Sequence, residues 1–259
     1  MRVYRSKPFG KVPQPASFSE LMEATLSEHP RWGRVRMWRG QADIGWPIHS
    51  TAYRRMAKTG MSLKEGTLQS YEKHLLGQAT HRGYRQLEGR RLSDLELLAR
   101  LQHHGAATRL VDFTRNALVG LWFVVSSELK KTGALIGIHT AFLAGYEAEP
   151  DERPYTEVMD DLHAEAPDTW EPTVVSPRIA AQRSQFLFSK LCTANQGSLK
   201  LPKDDNSVLV LAISPSLKRV AREYLIEAFD IRNVSLFPDI EGFARANGVG
   251  ENRWEMDRW

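Results

Sequence analysis

The run NALVGLWFVV, residues 116–125, is the strongest constraint in the chain. As a helix it is apolar nearly all round, and such a helix is stable only when protein covers every side of it. Thr114 is placed to cap it. Two more apolar runs, GALIGIH from Gly133 and SVLVLAI from Ser207, have the length and β-branched content of buried strands. At 259 residues the chain is long enough for one large core. With 42% apolar and 25% charged residues it has the balance of an ordinary globular protein. The expected class is mixed α/β (α+β), a single domain with a central sheet flanked by helices.

Weaker signals fill in the rest. Ser17 and Glu20 form a capping-box pattern ahead of Phe18, Leu21, Met22 and Leu26 at helical spacing, and His29-Pro30 ends that run. RVRMWRG alternates charged and apolar residues from Arg34 to Trp38, which predicts a half-buried strand closed by Gly40, with Arg39 at its end. A charged helix is expected from about Ser62 to Tyr84. Another is capped by Ser93 and Glu96, has its apolar face in Leu95, Leu98, Ala99 and Leu101, and is stopped by a positive-φ Gly105. The interval from His103 to Arg115 then reads as a loop between two anchored helices. The acidic tract from Glu147 to Pro172 reads as a surface excursion, and Pro215 as the start of a helix through Phe229. VSLFPDIEGFAR, from Val234, predicts a short strand and then a final helix opening near Pro238.

Composition excludes several classes. Lys and Arg number 35 against 31 Asp and Glu, so any basic surface is a local patch. Cys192 is the only cysteine, which rules out an internal disulfide and any multi-thiolate metal site. No apolar stretch approaches the roughly 20 residues that span a bilayer, and MRVYRSKPFG has no secretory apolar core. The expected compartment is the cytoplasm, with no membrane partner.

Polar residues concentrate in Arg39-Gly40-Gln41, His103-His104, Thr108-Arg109, Asp112 and Arg115. Gly40 suits close approach of a backbone to a ligand, and the planar fork of Arg39 suits phosphate or carboxylate, so the expected ligand is an anion such as a nucleotide. The imidazole of His104 suits acid or base work. No metal is assigned, because the acid pairs Asp160-Asp161 and Asp204-Asp205 stand apart from the histidines. A structural reading stands beside this one: Arg109 and Asp112 pair with each other, Thr108 caps the loop, and His103 and His104 point different ways.

These residues also carry a family resemblance. WRGQADIGWPIHSTAYRR resembles the opening of the FRG domain, and LLARLQHHGAATRLVDFTRNALVGLWFVV resembles its second block, with His104, Ala107 and Phe113 in place of the usual Tyr, Pro and Trp. PRIAAQRSQFLF is similar to the third block, with Ser184 replacing Gly, and VSLFPDIEGFAR to the closing Leu-Phe-Pro-Asp motif. The resemblance implies a leader and helix over 1–30, an FRG domain over 31–246 and a tail over 247–259.

The aromatic-Arg-Gly segment further resembles the first motif of arginine-type ADP-ribosyltransferases. That resemblance implies NAD as cofactor, with Arg39 clamping the pyrophosphate and Trp38 or Trp46 beside the nicotinamide. Gln182 or Glu241 would orient a ribose hydroxyl, and Asp112 would stabilise the oxocarbenium-like centre. It places Gly40, Gln41, Thr108, Arg109 and Arg178 around the cofactor, with Arg39, His104, Asp112 and Gln182 in the chemistry. Similarity to bacterial FRG proteins implies a toxin or anti-phage defence effector, with a nucleic-acid or protein acceptor and an antitoxin-like partner. Two other functions fit the same residues: a non-catalytic nucleotide or nucleic-acid binding module, and a nuclease using His104.

Overall fold

The computed structural model describes residues 1–145, 151–173 and 176–248. The chain begins with a hairpin, β1 (Arg2–Ser6) and β2 (Gly10–Gln14), followed by α1 (Phe18–Thr25), β3 (Arg36–Gln41), α2 (Thr51–Lys58) and α3 (Glu65–His81). After the short pair β4 (Gln86–Leu87) and β5 (Arg90–Arg91) come α4 (Asp94–His103), β6 (Val111–Thr114), α5 (Ala117–Val125) and β7 (Gly133–His139). The remainder runs α6 (Tyr155–Asp160), β8 (Asp168–Trp170), α7 (Pro177–Ala181), β9 (Ser184–Phe188), β10 (Val208–Ile213), α8 (Pro215–Glu227), α9 (Asn233–Leu236) and α10 (Ile240–Ala246).

Six strands form one sheet in the order β10-β7-β3-β6-β9-β8, every neighbouring pair antiparallel. The apolar helix α5 lies across β3 as its composition requires. A Cβ on Gly40 would stand 1.9 Å from the Gly120 carbonyl oxygen, so the two glycines let strand and helix backbones touch. Around α5, Leu21 and Ala24 of α1, Leu217, Ala221 and Leu225 of α8, and Trp38, Leu135 and Leu211 of the sheet form one core cluster. A second cluster joins α3, α4 and α6 to Trp170, Phe186 and Phe188 at the β9-β8 end. A third, around Met37, Ile136, Ile138, Val111, Phe113 and Leu187, draws in Val12, Tyr4 and Phe9 of the hairpin.

The mixed α/β fold, α5, β7, β10, α8 and the Ser93–Glu96 capping box around α4 all match expectation, and Gly105 has φ +86°. Several elements differ. The N-terminal leader is a hairpin with Val12 in the core. Helix α1 stops at Thr25, ahead of His29-Pro30. Strand β3 is interior, with Arg36, Met37 and Trp38 all buried. Buried Arg36 is tolerated because Nη1 donates to the Ser27 carbonyl at 2.6 Å. The strand continues through Gly40 to Gln41 because β7 pairs with it throughout, so Arg39 sits within the strand rather than at its end.

The interval from His103 to Arg115 holds a strand, since Val111 and Phe113 alternate into the core while Asp112 faces outward. The cap of α5 is Asn116, which accepts from the Leu118 N–H at 2.9 Å; Thr114 accepts from the Asn116 N–H and donates to the Gln182 carbonyl at 2.7 Å. The acidic tract is no surface excursion where described: Tyr155, Val158, Met159 and Trp170 are buried, and β8 extends the sheet. Its residues 147–150 lie outside the described residues, as does the tail from 249 on. Val234 to Leu236 belongs to helix α9 rather than a strand, with Ser235 accepting from the Arg232 N–H at 3.0 Å.

Candidate functional site

Strands β3 and β6 are joined at a single pair, Trp38 with Thr114. Beyond it they part, and the opening is the mouth of a pocket of about 380 Å³. Its walls come from two core clusters at once: Trp38, Phe123 and Phe237 from the α5 side, and Ala99, Ile179 and Phe186 from the α4 side. Phe123 and Phe237 meet edge to face at 6.2 Å. The polar lining is Arg39, Gln102, His103, Asp112, Arg178 and Gln182, with Thr51, Thr114 and Ser184.

Arg39 spans the opening. Its Nη1 donates to the Asp112 carbonyl at 2.8 Å, the one hydrogen bond of its side chain among the described residues, and Nε has no partner. Burial pushes the guanidinium below its ordinary value, only partly offset by the Asp112 charge and reinforced by Arg54. Arginine nevertheless stays charged near neutrality. Asp112 is held from the other side: its Oδ1 accepts from Gln102 Nε2 at 2.9 Å, and Gln102 Oε1 accepts in turn from the Thr108 hydroxyl. Among the described lining residues Asp112 carries the only carboxylate.

The opposite wall is an ion cluster. Arg178 donates through Nη2 to Asp239 at 2.7 Å and to Glu241 at 3.0 Å, and lies 5.2 Å from the Phe237 ring centroid. Burial alone would lower its pKa; the two carboxylates more than reverse that. His103 lies half-buried between Ser176 Oγ, 3.4 Å from Nδ1, and Asp239, 3.8 Å from Nε2. Burial, then Arg178 and His104, hold its ring below the usual histidine range, so it is neutral near neutral pH. Gln182 is fixed by donation to the Leu236 carbonyl at 3.0 Å.

Of the residues expected at the site, Arg39, Gly40, Asp112, Arg178 and Gln182 come together here. Gly40 serves contact with α5, its missing Cβ making room for helix backbone. The others lie elsewhere. Gln41 is buried beside the Pro47 carbonyl, 3.4 Å from Nε2. Thr108 is fully buried and ties the loop to α2, its N–H donating to Thr51 Oγ1 at 2.9 Å. Arg109 does not pair with Asp112, which faces outward from strand β6: it lies ahead of that strand, buried against α3. Its Nε instead meets Glu72 at 2.6 Å, and its Nη2 meets Glu65 at 3.0 Å and the Tyr155 hydroxyl at 2.8 Å.

His104 is exposed and outside the lining while His103 is half-buried, as expected of the pair, yet their rings meet edge to face at 4.7 Å. Arg115 donates to Glu171 at 2.9 Å, and Trp46 lies under Lys131, both away from the pocket. Of the arginines at 39, 109, 115 and 178, Arg39 and Arg178 line the pocket and Arg109 is buried. Sequence reasoning missed Gln102, Phe123, Phe237 and Asp239. Gln102 and Phe237 stood inside quoted motifs without a role, and Phe123 is indistinguishable in sequence from its buried helical neighbours.

A larger groove, about 560 Å³, runs along Arg85, Arg90, Asp94, Glu96, Asp151 and Arg153. Most of its charges answer one another, Arg85 with Asp94, Arg90 with Glu96 and Arg153 with Asp151, while Arg91 is exposed. In the smaller pocket the half-buried Arg39 has no carboxylate hydrogen-bonded to it.

Residues 34–133 match the family model of the FRG domain, a stretch that includes the strand carrying Arg39 and the segment carrying Gln102, His103 and Asp112. The match ends before the segment from β8 to α10, which supplies Arg178, Gln182 and Phe237. No curated protein and no solved structure matches the chain.

Proposed function

We propose that this FRG domain, together with the segment that follows it, forms a nucleotide-binding pocket in which Arg39 holds phosphate oxygens and Phe123 and Phe237 flank the base. One observation carries the reading: a permanently charged guanidinium sits at a pocket mouth with a single neutral hydrogen-bond partner. Arg178, the other arginine of the pocket lining, and the fully buried Arg109 are both answered by carboxylates. A phosphate supplies the missing charge and accepts the bidentate fork. The volume falls in the range of small-molecule sites, with an aromatic wall and a few convergent polar groups.

A specific observation favours a second reading, in which NAD is bound and cleaved. Asp112 is held by Gln102 through Oδ1 beside the expected phosphate site. A carboxylate there can stabilise the cationic centre that forms as the nicotinamide leaves the ribose. Release of nicotinamide from NAD by the purified chain, measured beside NAD and ADP binding, separates the readings. Binding with Arg39-dependent release that Asp112→Asn abolishes supports the enzyme, and binding without release supports the binding module. Absence of both NAD and ADP binding to the folded chain contradicts the nucleotide reading.

A further inference from the structure

No carboxylate adjoins His103-His104 in sequence. The fold brings one from 137 positions further along the chain. His103 is the last residue of α4 and His104 its C-terminal cap; the chain then turns at Gly105, so consecutive side chains converge instead of fanning out as they do along a helix. Opposite them stands Glu241, in the first turn of α10. One donor atom from each of His103, His104 and Glu241 falls within 4.8 Å of the others, and His104 Nδ1 is 3.6 Å from Glu241 Oε1.

We infer that His103, His104 and Glu241 form a binding site for one divalent transition-metal ion of the zinc type, set beside the nucleotide pocket. Tetrahedral coordination at about 2.0–2.1 Å places ligand atoms roughly 3.4 Å apart. The His104–Glu241 pair already stands near that separation. The exposed side chains of His104 and Glu241 close the rest by rotation, without moving the backbone. Two imidazole nitrogens and one carboxylate oxygen select a borderline ion such as Zn²⁺ or Co²⁺ over Mg²⁺ or Ca²⁺, which prefer all-oxygen sets.

His103 is oriented for the role by its other neighbours. Ser176 Oγ stands 3.4 Å from Nδ1 and Asp239, itself held by Arg178, 3.8 Å from Nε2, so whichever ring nitrogen takes the ion, the other keeps a neighbour of the kind that fixes ligating rings. Three protein ligands leave a coordination position open. Because His103 lines the pocket, the ion is close enough to add its charge to those of Arg39 and Arg178. The site does not depend on the nucleotide reading: it stands on its own donors.

Equilibrium dialysis of the full chain against Zn²⁺, with the bound metal counted by elemental analysis, tests the site directly. One ion per chain is expected, and Co²⁺ in its place should show visible d–d absorption of a low-coordinate site. His104→Ala and Glu241→Gln should each weaken Zn²⁺ binding at least roughly tenfold and abolish the Co²⁺ band. His104 is exposed, so His104→Ala keeps the wild-type thermal midpoint; Glu241→Gln keeps a carbonyl oxygen for Arg178, which Asp239 still pairs, and stays folded, and His163→Ala, at a histidine outside the site, leaves binding unchanged. Zn²⁺ binding that depends on His104 but not on Glu241 marks ordinary surface-histidine capture and overturns the site. So does a folded wild-type chain that binds neither Zn²⁺ nor Co²⁺.

Discussion

Arg39 and Arg109 share a charge and an element neighbourhood and differ in everything around them. Arg109, its side chain 1% exposed, is met by Glu72, Glu65 and Tyr155. Burial alone would lower its pKa, yet Glu72, then Tyr155 and Glu65, raise it above the ordinary arginine value. Arg39 meets one carbonyl and ends below its ordinary value. A cation whose charge is answered inside the fold is part of the scaffold; one left with a neutral partner at an opening is, in the reading proposed above, free to meet a ligand. The comparison explains why a sequence cluster of polar residues splits into two groups with different duties.

Removing the answered cation should do the most damage. Arg109→Met leaves Glu72, itself wholly buried, facing no charge, and should cost about 3 to 5 kcal/mol in urea unfolding. A loss under 1 kcal/mol would mean that Arg109 is no scaffold residue. Gly40→Ala comes next, since its Cβ meets helix backbone rather than a mobile side chain; about 3 kcal/mol of destabilisation is expected from the same measurement.

Lys218 sharpens the comparison as a fully buried cation answered only by carbonyls, those of Ala42 at 2.6 Å, Glu128 at 3.1 Å and Ser127 at 3.4 Å. Burial pushes its pKa down to about 8 from 10.5. A depressed folded value means that its contribution is present above pH 10.5 and lost as the pH falls through about 8. Wild-type stability measured against Lys218→Met should therefore improve between those limits. A difference independent of pH would place the ammonium in an environment as polar as water. The smallest stability effect belongs to Arg39→Ala, under about 1 kcal/mol, because no buried carboxylate is stranded. A loss as large as that of Arg109→Met would erase the distinction between the two arginines.

What sequence made legible follows the range of the interactions. Helix α5, strands β7 and β10 and the Ser93 capping box are written in consecutive residues, and they appear where their periodicity put them. Strand β6 is four residues with an outward Asp and reads as loop until β9 and β3 pair with it. Arg36 and Arg39 both look exposed in a charged-apolar alternation, and only the pairing of β3 on both sides buries the first and confines the second.

Half of the candidate site was visible in the same way. Arg39, Asp112, Arg178 and Gln182 stand out by residue type and motif. That Asp112 answers Gln102 rather than Arg109, that Asp239 and Glu241 reach His103 and His104, and that Phe237 closes the wall are contacts between distant segments, which no local pattern encodes.

The most direct test is equilibrium binding of NAD to the wild-type chain and to Arg39→Ala, with Arg39→Lys between them. The account predicts saturable binding to wild type, weakened by about 1.5 to 3 kcal/mol, a roughly ten- to hundredfold loss, in Arg39→Ala while its unfolding curve is retained. Arg39→Lys keeps the charge without the fork and should fall between the two. Equal affinity of wild type and a folded Arg39→Ala would contradict the assignment of Arg39 as the phosphate clamp.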